Sequence, residues 1–457
     1  MSNKRIGAKN FGDIYVEGKR YRSRREWRGV VDTLYDYSRW LYNWINMFRI
    51  VLVKPRNIKA MFRYRWMANY LAVPMMVDRH TQGLRGEHLR ICHAEQDVII
   101  EDVAKLLDKL FRGDRRIGND EEFSKKVVLV DENEMQSVMM GFPTVVPLSR
   151  EIASTYIPVL LNQRAAIHYI DVAQEYGLAG DVCPMPEAEA GVSIDDDAPI
   201  LGCCAVQCNT TCDGSLLSNG VISKRMEFED GIPVFQLASP LRHMNEDVQE
   251  YAAQEIRNAI AFIEEHTGEK WDWDYYFECA KRVNYATKCR LEWLEMSKSP
   301  YPQVFGSNLA LYTETNYMAI SGRLPIFEKT DRKIMRLAEK AYKKKKMAAN
   351  EYRHRAIVWG VQSHYYMDLL VWMLNCWGIV PLTDMLSMDN TTMIAEEDTP
   401  ENREQAMYDI AMLTEKMIMR NRTHGGYKVL LDDLWEIVTE FNADMVILWE
   451  HMSCKAL

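Results

Sequence analysis

Residues 198–206 read APILGCCAV and are followed by QCNTTCDG at 207–214. The first run is short and apolar, which is typical of a buried strand, and the second carries polar and turn-forming residues. The sequence therefore predicts a strand that ends just before a loop containing cysteine. Comparable apolar runs recur on both sides of this stretch.

These apolar runs alternate with amphipathic stretches along the chain. We predict further strands at IPVLL (157–161), GIPVFQLA (231–238), RAIVWGVQ (355–362), WGIVPLTDML (377–386) and DMVILWEHM (444–452). Long helices are predicted over 247–268 and 274–296, where apolar residues recur at helical spacing. Because alternating strands and helices favour parallel sheets, we expect an α/β fold. It would contain two tandem flavodoxin-like parallel-sheet domains, long connecting helices and a helical N-terminal extension.

Changes in composition indicate the domain limits. Residues 1–125 have a helical pattern and end in the charged, glycine-containing stretch FRGDRRIGNDEEFSKK. We expect this basic and aromatic extension to precede a first α/β domain at 126–300. A helical connection and a second α/β domain would occupy 301–457.

Composition narrows the class of protein. The chain has 457 residues, 47% hydrophobic and 26% charged, as expected of a globular protein with a sizeable core. Its net charge of -9 argues against nucleic acid as a partner. No apolar run approaches the roughly 18 residues that cross a bilayer, and the charged N-terminus lacks the apolar core of a secretory signal. We therefore expect a cytoplasmic protein.

A basic surface is concentrated near the N-terminus. The cations precede the aromatic stretch WLYNWINMFRIVLV, which starts at Trp40, and they are Lys4, Arg5, Lys9, Lys19, Arg20, Arg22, Arg24, Arg25 and Arg28. We expect an amphipathic helix here. Its apolar stripe is expected to pack on this protein or on a partner subunit rather than on a membrane surface.

Ten cysteines in a chain without an export signal are better explained as reduced thiols than as disulfides. We interpret four of them, Cys92, Cys279, Cys289 and Cys376, as small buried hydrophobic residues. Three others, Cys183, Cys212 and Cys454, stand where strand ends and following loops are predicted, which is where parallel sheets place their ligands.

Thiolates are the usual ligands of iron–sulfur clusters. The spacing of these cysteines is by itself a weak signal, because the chain has no C-x2-C pair and no ferredoxin-type run. Cys208 lies four residues before Cys212, so it is an alternative ligand if the loop follows a different path.

From about residue 140 to its end, the chain resembles the 2-hydroxyacyl-CoA dehydratase and benzoyl-CoA reductase family, and in particular a 2-hydroxyglutaryl-CoA dehydratase D-component-like subunit. The resemblance rests on the order of three cysteine motifs, Asp181-Val182-Cys183, Cys208-Asn209-Thr210-Thr211-Cys212 and Ser453-Cys454-Lys455. The segments GIPVFQLASP and HTGEKWDWDYYFECAKRVN add to it.

The resemblance implies a [4Fe–4S] cluster held by Cys183, Cys212 and Cys454, with the fourth iron position free. It also implies an acyl-CoA substrate, a homologous second subunit and a separate ATP-hydrolysing iron–sulfur activator. In the family, one electron at low potential reduces the thioester to a ketyl radical, and water is then lost, a lyase reaction. The chain lacks a G-x-x-x-x-G-K-[ST] phosphate loop, so ATP is expected to bind to another polypeptide.

Two departures from the family leave alternatives open. Asn162 stands where the resemblance places a glutamate with an acid/base role, so no catalytic residue is assigned. The family pattern continues past the third cysteine, whereas Leu457 follows Cys454 closely, so we expect an incomplete second domain and a heteromer. The alternatives are a subunit of a benzoyl-CoA-type dearomatising reductase and a non-catalytic partner subunit.

Overall fold

The fold is given by a computed structural model of the chain. The structure describes residues 14–16, 19–21, 29–74, 80–81, 84–131, 136–162, 164–208, 213–238, 240, 245–303, 312, 322–347, 354–360, 373, 379–384, 392–415 and 418–449. The side chains of 14–16, 19–21, 50–52, 136, 415 and 418–426 are not among the described features. Cys212, Cys376 and Cys454 lie outside the described residues.

The first of the two larger sheets contains four parallel strands. They are β3 (Val127–Val130), β4 (Val146–Leu148), β5 (Cys204–Cys208) and β6 (Val234–Leu237). The strands lie in the order β4-β3-β5-β6. The chain passes from β3 outward to β4 and then returns to the other side of β3 to form β5. The strand order therefore reverses between β3 and β5, and ligands of open parallel sheets bind at such a reversal.

Helices cover both faces of this sheet, because successive side chains of a strand point to opposite sides. Val127 and Leu129 of β3 belong to one core cluster, whereas Val128 and Val130 belong to another. The helices that contribute to the first cluster include α3 (Gly86–Gly113), α7 (Pro184–Ile194) and α8 (Asp213–Arg225). Those that contribute to the second include α9 (Glu246–Thr267), α10 (Trp273–Lys298) and α12 (Pro400–Glu415).

The remaining described helices connect or flank these elements. They are α1 (Val30–Leu52), α2 (Pro55–Arg63), α4 (Glu121–Ser124), α5 (Ile157–Leu161), α6 (Ile167–Tyr176), α11 (Pro325–Lys343) and α13 (Ile418–Glu440). Short 3-10 segments span Arg65–Ala72 and Gln136–Met139, and π-helical turns span Ile152–Tyr156 and Met226–Asp230.

The second larger sheet consists of β7 (His354–Trp359), β8 (Ile379–Asp384) and β9 (Met445–Leu448). All three described strands are parallel, in the order β8-β7-β9. The Arg355 guanidinium attaches this sheet to the end of α10, because it donates hydrogen bonds to the carbonyl oxygens of Ser297 and Ser299. It also binds the Phe441 carbonyl, so one buried cation joins three elements.

The structure therefore shows two parallel sheets with long helices and a helical N-terminal region, which confirms the predicted α/β class. The N-terminal region also contains a short antiparallel pair, β1 (Ile14–Val16) and β2 (Lys19–Tyr21). The predicted long helices correspond to α9 and α10. The α9 helix ends at Gly268, whose φ of 73° permits the left-handed cap.

Two local predictions are wrong. IPVLL at 157–161 forms the buried helix α5, because Pro158 occupies its first turn and the segment continues a π-helical turn. The prediction failed because a short apolar run in the sequence is equally compatible with a buried helix and a buried strand. The strand predicted at 198–206 begins only at Cys204, because Gly202 has a φ of 100° that interrupts extended backbone. The strands β3 and β4 were not predicted.

The expected packing of the N-terminal apolar stripe on this protein is only partly confirmed, since Met47 is buried in the first core cluster and Trp40 packs against that cluster while other apolar residues of α1 are exposed. In α1, Leu34 and Phe48 are 65% and 48% exposed, whereas Asp36 and Asn43 are buried. The polar side of α1 therefore faces α3, because the inward positions carry side chains that hydrogen-bond to that helix.

Candidate functional site

The carboxyl ends of β3 and β5 are held together by polar contacts. The Cys208 amide donates to Asp131 Oδ2 at 3.4 Å. Asn219, on α8, donates through Nδ2 to the same carboxylate oxygen at 3.1 Å and to the Cys208 carbonyl oxygen at 2.9 Å. One amide in the middle of α8 therefore attaches this helix to the ends of β3 and β5, at the strand reversal.

Cys183 lies beside the start of α8. It is the half-buried N-cap residue of α7, and Pro184 follows in the first turn. A methyl group placed on Gly214 would lie 3.5 Å from Cys183 Cβ and 3.2 Å from Pro186 Cγ. Since α8 begins at Asp213, the residue after Cys212, the N-termini of α7 and α8 meet here. Two helix N-termini favour negative charge at one place.

Cys208 is directed to the opposite face of the sheet. Its side chain belongs to the core cluster that includes Cys204 and Val206, which is the cluster of α9 and α10. Cys183 packs instead against the cluster of α7 and α8. Cys208 is only 1% exposed, so it is enclosed by apolar residues across the sheet from Cys183.

The other described cysteines are core residues except Cys203, which is half-buried. Cys92, Cys279 and Cys289 are each at most 3% exposed, which confirms the prediction that they are buried. Burial raises the pKa of Cys279 to about 11 and that of Cys289 to about 12, so both remain protonated thiols. At the start of β5, the hydrogen bond with Cys203 and burial raise the pKa of Cys204.

One buried and one partly buried carboxyl group follow the helix and strand ends of this region, and neither was predicted. Glu187 is one helical turn after Cys183 and 2% exposed, and it accepts a hydrogen bond from Gln174 at 3.3 Å. Burial raises its pKa, the hydrogen bond from Gln174 offsets part of that rise, and Asp181 adds to it. Glu187 stands in the sequence PMPEAEAG. An acidic residue in the first turn of a helix is the sequence signal that could have pointed to this position.

The second carboxyl group, Glu151, follows β4. Burial raises its pKa, the Arg150 guanidinium opposes this rise, and the Asp131 carboxylate adds to it. The Ser149 hydroxyl donates to Glu151 Oε2 at 3.4 Å. Glu151 and Asp131 therefore form an acidic pair at the carboxyl edge of the first sheet.

A cavity of about 340 Å³ lies along β4. Apolar side chains such as Val103 and Leu148 line most of it, and Ser149 contributes at the carboxyl end of the strand. Two ionisable groups lie in its wall. Burial raises the pKa of Asp102 to about 6 and lowers the pKa of Lys109, and the opposite charge of each group opposes the shift of the other. Cys183 is not among the residues that line this cavity.

Comparison with protein families identifies the chain. The family model of the 2-hydroxyglutaryl-CoA dehydratase D-component matches residues 144–457, more than half of the sequence. The chain belongs to that family. A search of curated protein sequences finds no match. Membership makes the chain a subunit of the 2-hydroxyacyl-CoA dehydratase type, which works in a complex with partner subunits.

The three cysteines expected of a D-component are only partly covered by the structure. Cys183 is described, whereas Cys212 and Cys454 fall outside the described ranges. Within those ranges, no group of three or more Cys, His, Asp and Glu residues is arranged to hold a metal ion. Cys454 comes after β9, whose ladder continues at Trp449, where the amide binds the Trp359 carbonyl oxygen at 2.7 Å.

Asn162, where the D-component resemblance places a glutamate, is exposed at the end of α5. Its Nδ2 donates a 2.8 Å hydrogen bond to Asn69 Oδ1, in the 3-10 segment Arg65–Ala72. The N-terminal region, which precedes the matched residues, therefore contacts this position. None of the helices in the described ranges is long and apolar enough to span a membrane.

Proposed function

We propose that the chain is the iron–sulfur subunit of an ATP-activated radical 2-hydroxyacyl-CoA dehydratase, a lyase. The [4Fe–4S] cluster is proposed to be held by Cys183, Cys212 and Cys454. The observation that carries this proposal is the meeting of Cys183 with the start of α8, directly after Cys212, at the strand reversal of the first sheet.

The residues around Cys183 fit an anionic cluster. A cluster with three thiolate ligands needs soft sulfur donors and a partly apolar environment. Cys183 is half-buried at a helix N-terminus, and Gly214 leaves space that a side chain would fill. When bound, the cluster would supply single electrons to the acyl-CoA thioester.

The chain's own groups would position substrate and protons. Asn219 attaches α8, which begins directly after Cys212, to the ends of β3 and β5 through its bonds to Asp131 and Cys208. Glu187 keeps its proton more readily than an exposed glutamate does, because burial raises its pKa. A buried acid near the reacting group can donate or accept the proton that loss of water requires. We assign Glu187 this role in place of the glutamate that Asn162 replaces.

The Asn162 contact also favours a second function, that of a non-catalytic partner subunit. An exposed amide that binds Asn69 performs no acid/base step, and the same contact attaches the N-terminal region to α5. In this case the chain would stabilise a homologous active subunit, and electrons would be delivered elsewhere.

Anaerobic purification separates the two functions. The proposed iron–sulfur subunit should contain about four irons per chain and an equal amount of sulfide, with a paramagnetic signal after one-electron reduction. With a homologous subunit and an ATP-hydrolysing activator it should dehydrate a 2-hydroxyacyl-CoA. Protein without iron after anaerobic reconstitution would exclude the cluster and favour the non-catalytic subunit. Reduction of an aromatic acyl-CoA instead of dehydration would indicate the dearomatising reductase.

A further inference from the structure

The cavity along β4 lies between the N-terminal region and the family segment. On the side of α3 its described lining residues recur at helical spacing, and they are Asp102, Val103, Leu106 and Lys109. A second wall runs along β4 and its flanking residues, from Pro143 to Ser149. Because α3 precedes residue 144, where the family match begins, a region that the family model does not cover forms part of this cavity.

Most of the cavity wall is apolar, and it reaches from the surface into the core. Val103, Leu148 and Ile157 are buried, whereas Pro143 and Thr144 are exposed, so the cavity opens to solvent beside the start of β4. Its volume of about 340 Å³ is near the lower end of the range of small-molecule sites, roughly 300–1,000 Å³. The cavity therefore has the lining and the size of a site for a small ligand with an apolar body.

Three charged groups stand in this apolar wall. Among the described residues that line the cavity, Lys109 and Arg323 are the cations and Asp102 is the only acid. Burial lowers the pKa of Lys109, the Asp102 carboxylate opposes this shift, and the Arg323 guanidinium adds to it, so the two cations repel each other. Two cations against one acid leave one net positive charge, which a single anionic group on a ligand would neutralise.

The two cations differ in their contacts. Arg323 is fixed in the wall, because its Nη2 donates to the carbonyl oxygens of Phe142 at 2.7 Å and of Val145 at 2.6 Å. The half-buried Lys109 ammonium has neither a hydrogen bond nor an ion pair with any described residue. One helical turn earlier, the exposed Lys105 pairs with Glu101 at 2.6 Å. Since a charge removed from water requires a partner, Lys109 is the group that a ligand anion would complete.

We propose that this cavity binds a small carboxylate with an apolar body, at a site separate from the proposed cluster site. The carboxylate would bind the Lys109 ammonium and face Arg323, and the body would lie against Leu106 and Leu148. Cys183 does not line the cavity, so this inference does not depend on the proposed dehydratase function.

Other classes of ligand fit the wall less well. An amine would add a third cation beside Lys109 and Arg323. A neutral alcohol would leave the Lys109 ammonium without an ionic partner. A nucleotide needs polar groups for its base, sugar and phosphates, whereas most of the described lining residues are apolar. A monocarboxylate satisfies both the apolar lining and the net positive charge.

Isothermal titration calorimetry with hexanoate tests this proposal on the full chain. Wild-type protein should bind hexanoate about tenfold more tightly than hexanol, which has the same apolar body without the charge. Lys109→Met keeps an apolar side chain and removes the ammonium, so its affinity for hexanoate should fall about tenfold. Lys105→Met makes the same change one turn earlier on α3, at a residue that does not line the cavity, and is the matched control with normal binding.

A gain of affinity gives a second test that an unfolded variant cannot imitate. Asp102→Asn removes the acid from the described wall, so at about pH 7.5, where this carboxyl group is ionised, the variant should bind hexanoate about threefold more tightly than wild type. Equal or weaker binding by a folded Asp102→Asn variant would contradict the proposed position of the carboxylate.

Three further outcomes would overturn the proposal. The first is wild-type protein that does not bind hexanoate or binds hexanol equally well. The second is an equal loss of affinity in Lys105→Met and Lys109→Met. The third is competition by hexanoyl-CoA, whose carboxyl group is blocked as a thioester and which should leave hexanoate binding unchanged. Such competition would assign the cavity to the acyl chain of the proposed substrate instead of a separate ligand.

Discussion

Cys183 and Gly214 are in contact across two helix N-termini, since a methyl group placed on Gly214 would be 3.5 Å from Cys183 Cβ. These residues are 31 positions apart in the sequence. The contact requires that α7 and α8 begin side by side on one face of the first sheet. It places the backbone next to Cys212 against the thiol-bearing residue Cys183, which is the arrangement that two ligands of one cluster need.

Gly214 is therefore expected to be sensitive to added volume. Gly214→Val would push against Pro186 and Cys183, because a Cβ at this position already lies 3.2 Å from Pro186 Cγ. We expect this variant to lose most of its iron and about 1–3 kcal/mol of unfolding free energy. Iron analysis and thermal denaturation under anaerobic conditions measure both effects.

Gly220 is the matched control for this prediction. It lies in the same helix, α8, and a Cβ there would meet nothing within 4 Å. Gly220→Ala should keep its iron and gain about 0.5–1 kcal/mol, because alanine loses less backbone entropy in a helix. If both variants keep their iron, the contact between α7 and α8 is not part of the cluster site.

A buried acid predicts a pH dependence of stability. Asp331 on α11 is 1% exposed and accepts a 2.6 Å hydrogen bond from the Tyr312 hydroxyl. Burial raises its pKa to about 7, while Tyr312 and Arg290 oppose the rise. The folded state therefore binds more protons than the unfolded state between about pH 4 and pH 7. The contribution of Asp331 is lost as pH rises through this range.

Asp331→Asn removes this titration and keeps an oxygen that can accept the Tyr312 hydroxyl. The variant should be more stable than wild type at pH 8 by about 2–4 kcal/mol, with a smaller difference at pH 5. Denaturant unfolding at several pH values measures the difference. The exposed Asp171→Asn variant is the control and should follow wild type. Parallel pH profiles for Asp331→Asn and wild type would contradict the prediction.

The sequence predicted the parallel sheets well because buried strands require continuous apolar runs, as in RAIVWGVQ and β7. It wrongly predicted a strand at IPVLL, since the sequence of a buried helix such as α5 is as apolar as that of a buried strand. For the site, spacing left Cys208 and Cys212 as alternatives. The face to which Cys208 points depends on the register of β5, which becomes known only in three dimensions.

Glu187 was missed for a different reason. PMPEAEAG contains two acids that have the same appearance in a sequence as solvated surface residues, and their burial results from the packing of α7 against α6 and α8. Only the folded chain shows that Glu187 is enclosed one turn from Cys183.

Glu187→Gln tests the proposed proton transfer. The amide keeps the size of the side chain but cannot exchange a proton, so we expect kcat to fall by about 100-fold while the iron content stays constant. Glu175→Gln, at an exposed position of α6, is the matched control and should have normal activity. Dehydration assays with the complete complex, together with iron analysis, check both. Normal turnover in Glu187→Gln would remove this residue from the reaction.

The choice between Cys208 and Cys212 is the strictest test of the proposed ligand set. Cys183→Ser, Cys212→Ser and Cys454→Ser should each lose the cluster, because each removes one of three thiolates. Cys208→Ala should keep it and lose about 1 kcal/mol, since its side chain packs in the core on the opposite face of the sheet. Iron content and visible absorption after anaerobic reconstitution distinguish the variants. Loss of the cluster in Cys208→Ala, with retention in Cys212→Ser, would reverse the assignment and require β5 to end in a different orientation.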